Sequence, residues 1–253
     1  MKGREHNVSE GTMNYEFEYL NRLTAVIDEI HQSQKEKIKT LAPMFAQNVK
    51  DNHIIHIFGT GHSHMIGIEM YGRAGGLANI NAMLDADVLP SNGARRSGDV
   101  EKLPGLADII YNQYRITKGD IMIIVSNSGR NTVPVEMAMR AKKEGIFTIG
   151  LTNLKQSQAI TSRHSSGKKL YEVVDFVLDT CVPFGDSMME IGGAKTGPAS
   201  TIAAMVILHT IVNEAMQLLA KEGFPTPIIQ SQNLDGFDND AMYARYEDRV
   251  RFF

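Results

Sequence analysis

The chain has 253 residues, 43% of them hydrophobic, with a formal net charge of −3 and a single cysteine, Cys181. This length and apolar content suit one α/β domain with a substantial core; the charge offers no basic field for nucleic acid, and one cysteine excludes an intrachain disulfide. No secretory signal pattern and no apolar run of transmembrane length stands out, so a cytoplasmic protein without a membrane partner is expected.

Residues 1–13 are polar and aperiodic and read as a disordered leader, followed by a domain over 14–222 and a C-terminal extension over 223–253. Within residues 15–48, Leu20, Leu23, Val26, Ile27 and Ile30 recur at helical spacing and Pro43 interrupts the pattern, which predicts a helical hairpin or one bent helix. Residues 54–58 form a buried-strand run, and the helix after Ser63 is expected to end at Gly75-Gly76. Residues 78–98 read as an exposed loop and 106–114 as a short amphipathic helix. Further strands are predicted over 121–125, 146–151 and 173–178, with helices over 133–143 and 198–221 and a charged terminal helix over 245–251. Strands alternating with helices predict an α/β fold, a doubly wound, mostly parallel sheet flanked by helices.

Two strand-to-helix junctions carry the chemistry. Gly59-Thr60-Gly61-His62-Ser63 follows the first strand, and Ser126-Asn127-Ser128-Gly129-Arg130-Asn131-Thr132 follows the second. Each turn is expected to set backbone N–H groups and short hydroxyls at the positive end of a helix, where a phosphoryl group is held without a dedicated cation. Ligands of doubly wound sheets bind beyond the carboxyl ends of the strands, so both turns belong on one rim.

With Gly59-x-Gly61-x-Ser63 and Ser126-x-Ser128-Gly129-x-Asn131, the chain resembles the SIS (sugar isomerase) family of phosphosugar-binding domains, across most of residues 40–222. Together with Ser231-Gln232-Asn233-Leu234-Asp235-Gly236, the pattern is similar to a little-characterised SIS group described as phosphosugar or phosphoheptose isomerases. The resemblance implies a flavodoxin-like SIS fold and a phosphorylated sugar as ligand, bound by Gly61, Ser63, Ser126, Ser128, Gly129 and Asn131 or Thr132. The family has threonine where this chain has Asn131, which replaces one phosphate hydroxyl. It also implies a homodimer or homotetramer, in which Ser231–Gly236 completes a neighbouring site.

An aldose–ketose isomerase further needs a base that carries a proton between adjacent carbons. Glu190 is the first candidate, since Met188, Met189 and Ile191 around it would desolvate its carboxylate, and SIS isomerases use a glutamate before the final helix. His209 shares a helix face with Ile202, Met205, Val206 and Met216, with Asn213 one turn later, and reads either as a core histidine bonded to Asn213 or as the catalytic histidine of phosphoheptose isomerases. His62, inside the first turn, is a third candidate for facing the substrate. By the same resemblance, the remaining zinc positions of phosphoheptose isomerase fall on Glu69, Arg73 and Thr201. Arginine does not ligate zinc and threonine does so poorly, so no obligatory metal and no cofactor is expected. Two alternatives stand beside isomerisation. Gly192-Gly193-Ala194-Lys195-Thr196-Gly197 is similar to a stretch of muramic acid phosphate etherases, and SIS domains also serve as non-catalytic sugar-phosphate sensors.

Overall fold

The computed structural model describes residues 17–252, so the expected leader over 1–13 lies outside the described residues. The chain opens with one uninterrupted helix, α1 (Glu18–Lys50), which carries Pro43 inside it rather than breaking into a hairpin. Val26, Ile30, Ile38, Leu41, Phe45 and Val49 recur on its buried face, and that burial outweighs the one backbone hydrogen bond proline forfeits.

Five parallel strands follow in spatial order β2-β1-β3-β4-β5: β1 (Ile55–Gly59), β2 (Ile80–Met83), β3 (Ile121–Val125), β4 (Phe147–Thr152) and β5 (Phe176–Asp179). Their near-continuous apolar runs suit strands covered on both faces. Ile55, Ile57, Ile121 and Ile123 face one core, shared with α1 and the long helix α8 (Ser200–Lys221), while Phe58, Met122 and Ile124 alternate to the opposite core. That second core is closed by α4 (Leu106–Tyr111) and α5 (Thr132–Lys143). The remaining helices are short: α2 (His64–Met70), α3 (Ala94–Val100), α6 (Leu154–Ala159), α7 (Leu170–Val173) and α9 (Asp240–Tyr246).

Several sequence expectations are corrected by packing. The helix after Ser63 stops at Met70, because residues 75–78 turn away to bond the C-terminal extension: Gly75 and Ala78 donate to the carbonyls of Ile229 and Pro227, each at 2.8 Å. The stretch read as an exposed loop contains the fully buried strand β2. Asn79 and Asn81 disguise it in the sequence, yet both are 0% exposed, their amides bonded to Asn48 and Arg249 respectively. The last strand begins at Phe176 instead of residue 173, which ends α7, and the terminal helix covers Asp240–Tyr246. The glycine-rich segment forms a hairpin of β6 (Met189–Ile191) and β7 (Ala194–Thr196). Contrary to expectation, α8 is by length and composition apolar enough to cross a membrane; here Ala203, Ile207, Ile211 and Leu219 bury it in the core against α1.

The extension packs Ile229, Tyr246 and Val250 on Ile54 and Ala78 at the amino ends of the strands. Arg249 reaches Asp120 at 2.5 Å, and Asp120 also accepts from the N–H of Ile54 and contacts the buried His56 at 3.3 Å. Burial pushes the Asp120 carboxyl up, but His56, the N–H groups of Ile54 and Thr117, and Arg249 together hold it well below the usual carboxylate range.

Candidate functional site

In the order β2-β1-β3-β4-β5 the direction of winding reverses between β1 and β3. This is where open α/β sheets bind ligands. Gly59 pairs with Val125, so both serine turns leave the sheet at the same level on neighbouring strands. In the first turn, a Cβ on Gly59 would lie 2.6 Å from the Ser63 carbonyl oxygen, and Gly61 has φ of 57°. The first glycine permits close approach and the second a left-handed bend. Ser63 is half-buried, and its hydroxyl meets no protein partner among the described residues. The expected helix-end field is weak here, since α2 has only seven residues. His62 is exposed. His64, at the start of α2, is 1% exposed; its Nδ1 donates to the Gly61 carbonyl at 3.2 Å and its Nε2 has no partner among the described residues. Burial presses its pKa down to about 4.

The second turn divides its expected ligands. Ser128 is half-buried with its hydroxyl open, and the N–H groups of Ser128 and Arg130 meet no acceptor among the described residues. The other side chains are engaged internally. Buried Ser126 accepts the Gly129 N–H at 3.2 Å. Asn131 gives its amide N–H to Glu101 at 2.6 Å and its carbonyl oxygen to Arg163 at 2.9 Å, and Thr132 reaches the Arg163 carbonyl at 3.5 Å. Gly129 combines φ of 60° with a would-be Cβ 2.9 Å from the Ser157 hydroxyl, so no larger residue fits. Ser63 and Ser128 are therefore the hydroxyls left for a ligand.

A narrow cleft between the turns is lined by Ser63, Asn127, Thr180, Ser200 and Thr201. The Asn127 Oδ1 and Thr180 Oγ1 atoms are buried there without partners among the described residues. Orphaned polar atoms cost free energy unless water or a ligand satisfies them. The start of α8 is capped by Asp186, which accepts from the N–H groups of Ala199 and Ser200 at 2.9 and 2.7 Å.

Farther along α2, about 9 Å from Ser63 at helical rise, Glu69, Arg73 and His209 meet. His209 Nε2 donates to Glu69 at 2.9 Å, and Arg73 pairs with the same carboxylate oxygen. Asn213 bonds the backbone carbonyl of His209, not its ring, which corrects the core-histidine reading. Burial and then the Arg73 charge lower the His209 pKa. Among the described residues no three His, Cys, Asp or Glu side chains gather to hold a metal, and a guanidinium stands where zinc would need a further ligand. Glu190 sits exposed on the β6–β7 hairpin, opposite Lys195, so the expected desolvation fails in this chain by itself.

Asn127 and Thr180, which line the cleft, and Thr60, Glu101 and Arg163, which bond the two turns, were not singled out as site residues from the sequence. Thr60 and Asn127 lie inside the turn motifs and were legible as polar turn residues. Glu101, Arg163 and Thr180 arrive from distant segments, with no local signal.

The SIS domain family model matches residues 18–153. UPF0309 protein BH3325 of Halalkalibacterium halodurans is 36% identical over 90% of this chain and 96% of its own length, and UPF0309 protein TTE0306 of Caldanaerobacter subterraneus is 35% identical over 92% and 98%. In fold, the chain is similar to a phosphoheptose isomerase from Francisella tularensis, with a TM-score of 0.54 and 15% identity over 79% of this chain and 95% of that one. The phosphoheptose isomerase GmhA of Neisseria gonorrhoeae gives 0.52 and 15% over the same shares. A serine-turn pair at the switch point of a 2-1-3-4-5 sheet is thus joined by whole-length sequence kinship, and the chain belongs to the SIS domain family, among the UPF0309 proteins.

Proposed function

We propose that the protein binds a phosphorylated sugar and interconverts its aldose and ketose forms. The observation that carries the reading is the pair of open hydroxyls, Ser63 and Ser128, on turns leaving neighbouring strands at the switch point. They anchor the phosphate, while the orphaned Asn127 and Thr180 atoms await hydroxyls of the sugar. The Glu69–His209 pair, about 9 Å along α2 from Ser63, is assigned the carbonyl end of the sugar, where it moves a proton from C2 to C1 through an enediol. His62 and Glu190 remain accessible for proton transfer at the sugar oxygens, with Glu190 needing closure of its hairpin. No metal step belongs to this mechanism. A cytoplasmic homodimer or homotetramer completes the reading, supported by the apolar groove of Ile27, Ile38, Val206 and Leu218 between α1 and α8.

A second reading, a phosphosugar sensor, is favoured by one observation. Glu69 is neutralised by Arg73 and Glu190 is exposed, which leaves the sugar end without a desolvated, unpaired carboxylate. Calorimetry with a panel of pentose and hexose phosphates tests binding. Ser63→Ala with Ser128→Ala should weaken it by roughly 1.5–3 kcal/mol per lost donor, and unchanged affinity rejects the anchor. Deuterium wash-in at C2 of a bound sugar identifies the isomerase, and its loss in Glu69→Gln or Glu190→Gln names the base. Tight binding without wash-in identifies the sensor, and a released side-chain fragment the etherase.

A further inference from the structure

We propose that Arg163 is the cation of the phosphate site, aimed by a hydrogen-bonded chain, Arg163–Asn131–Glu101–Thr60, that ties the two serine turns together. The inference rests on the phosphosugar reading and assigns the ligand group as a phosphate monoester dianion. The turns themselves offer only hydroxyls and N–H groups, and a partly desolvated dianion is held far better by a charge-assisted fork. Two arginines border the second turn. Arg130 spends its Nη2 on the Thr161 hydroxyl at 3.1 Å. Arg163 points its guanidinium at Asn131, the residue that opens α5, with Nη1 2.9 Å from the amide oxygen.

The backbone of Arg163 is pinned to the same turn. Its N–H donates to the Arg130 carbonyl at 2.8 Å, and its own carbonyl accepts from Thr132 at 3.5 Å. Only one of the guanidinium's side-chain donors is spent there among the described residues, which leaves others for a ligand. The direction of the Asn131 amide decides whether the arginine is held or repelled. Glu101 sets that direction: its Oε1 takes the Asn131 N–H at 2.6 Å, so the amide oxygen must face Arg163. The other carboxylate oxygen accepts from Thr60 of the first turn at 2.6 Å, and the Glu101 carbonyl accepts from Val133 at 3.1 Å. Burial raises the Glu101 pKa, while Thr60, Lys102 and Arg163 act to keep it ionised. Glu101 and Asn131 are positioning residues, and Arg163 is the binding group.

The test is calorimetric titration with inorganic phosphate and with glucose 6-phosphate and arabinose 5-phosphate, beside thermal unfolding. Arg163→Gln should weaken binding by about 10- to 100-fold, the range of a lost charge-assisted contact, with an unchanged melting temperature; Arg163→Lys should retain more than Arg163→Gln. Glu101→Ala removes the acceptor that orients the Asn131 amide and should weaken binding severalfold. In the Arg163→Gln background the same Glu101→Ala change should cost little further affinity, a non-additivity that simple loss of packing would not give. If Arg163→Gln binds like the wild type while Ser63→Ala with Ser128→Ala does not, the arginine inference falls and the anchor stands. If Glu101→Ala weakens binding as much in the Arg163→Gln background as in the wild type, the chain does not aim the arginine. If the wild type binds neither phosphate nor either sugar phosphate, both the inference and the phosphosugar reading fall.

Discussion

His64 makes a direct claim about acid stability. Its ring is 1% exposed, with Nδ1 bonded to the first turn and Nε2 unpartnered, so the folded protein resists protonating it. The sign follows from the depressed value. Above pH 6.5 neither state holds the proton; between 6.5 and about 4 the unfolded chain takes it up while the folded one does not, and stability falls; below about 4 the loss is complete. A gap from 6.5 to about 4, at 1.36 kcal/mol for each unit, amounts to about 3 kcal/mol. Urea denaturation of the wild type and His64→Gln at pH 7.5 and 4.5 isolates this residue, because the carboxylates and the buried His56 titrate in both proteins. The wild type should lose about 2–3 kcal/mol more than the variant across that span. Equal losses, or a native-state imidazole titrating near its ordinary value by NMR, would refute the reasoning.

Three further outcomes are expected. Gly59→Ala puts a methyl 2.6 Å from the Ser63 carbonyl oxygen and should cost about 1–3 kcal/mol of stability while shifting the first turn; undiminished phosphosugar affinity would contradict the close-approach argument. Asp120→Asn leaves Arg249 and His56 facing a neutral amide and should cost about 3 kcal/mol or more near neutral pH, read by chemical denaturation. Because the Asp120 pKa is depressed, its contribution is present above pH 3.8 and lost on further acidification, so the variant should show a shallower acid limb than the wild type. Dialysis against a strong chelator should leave melting temperature and phosphosugar affinity unchanged; stoichiometric zinc whose removal abolishes binding would overturn the ligand assignment at Glu69, Arg73 and His209.

The sequence disclosed most where structure is local. The apolar runs at Ile55 and Ile121 and the two serine turns lie within short windows, so strand, bend and hydroxyl are read together. Strand β2 was hidden because Asn79 and Asn81 look like loop residues until Asn48, His53, His56 and Arg249 close around them. The β6–β7 hairpin did carry a signal: Gly192 and Gly193, with φ of 59° and 79°, form the two-residue turn that such a pair specifies. The internal bonds of Asn131 and Thr132 are not legible in the sequence, because their partners, Glu101 and Arg163, sit about 30 residues away on either side. No periodicity connects them.

The Leu77–Ile228 bridge and the Arg249–Asp120 contact make the last thirty or so residues something other than an appendage. Cutting the chain ahead of Arg249 would strand a buried carboxylate beneath the sheet, so deletion there should register as a lesion of the interior and not as a trimmed end. Proteolysis in that stretch should accordingly follow global unfolding. The rim that bears this mechanical load is opposite the one that carries the serine turns.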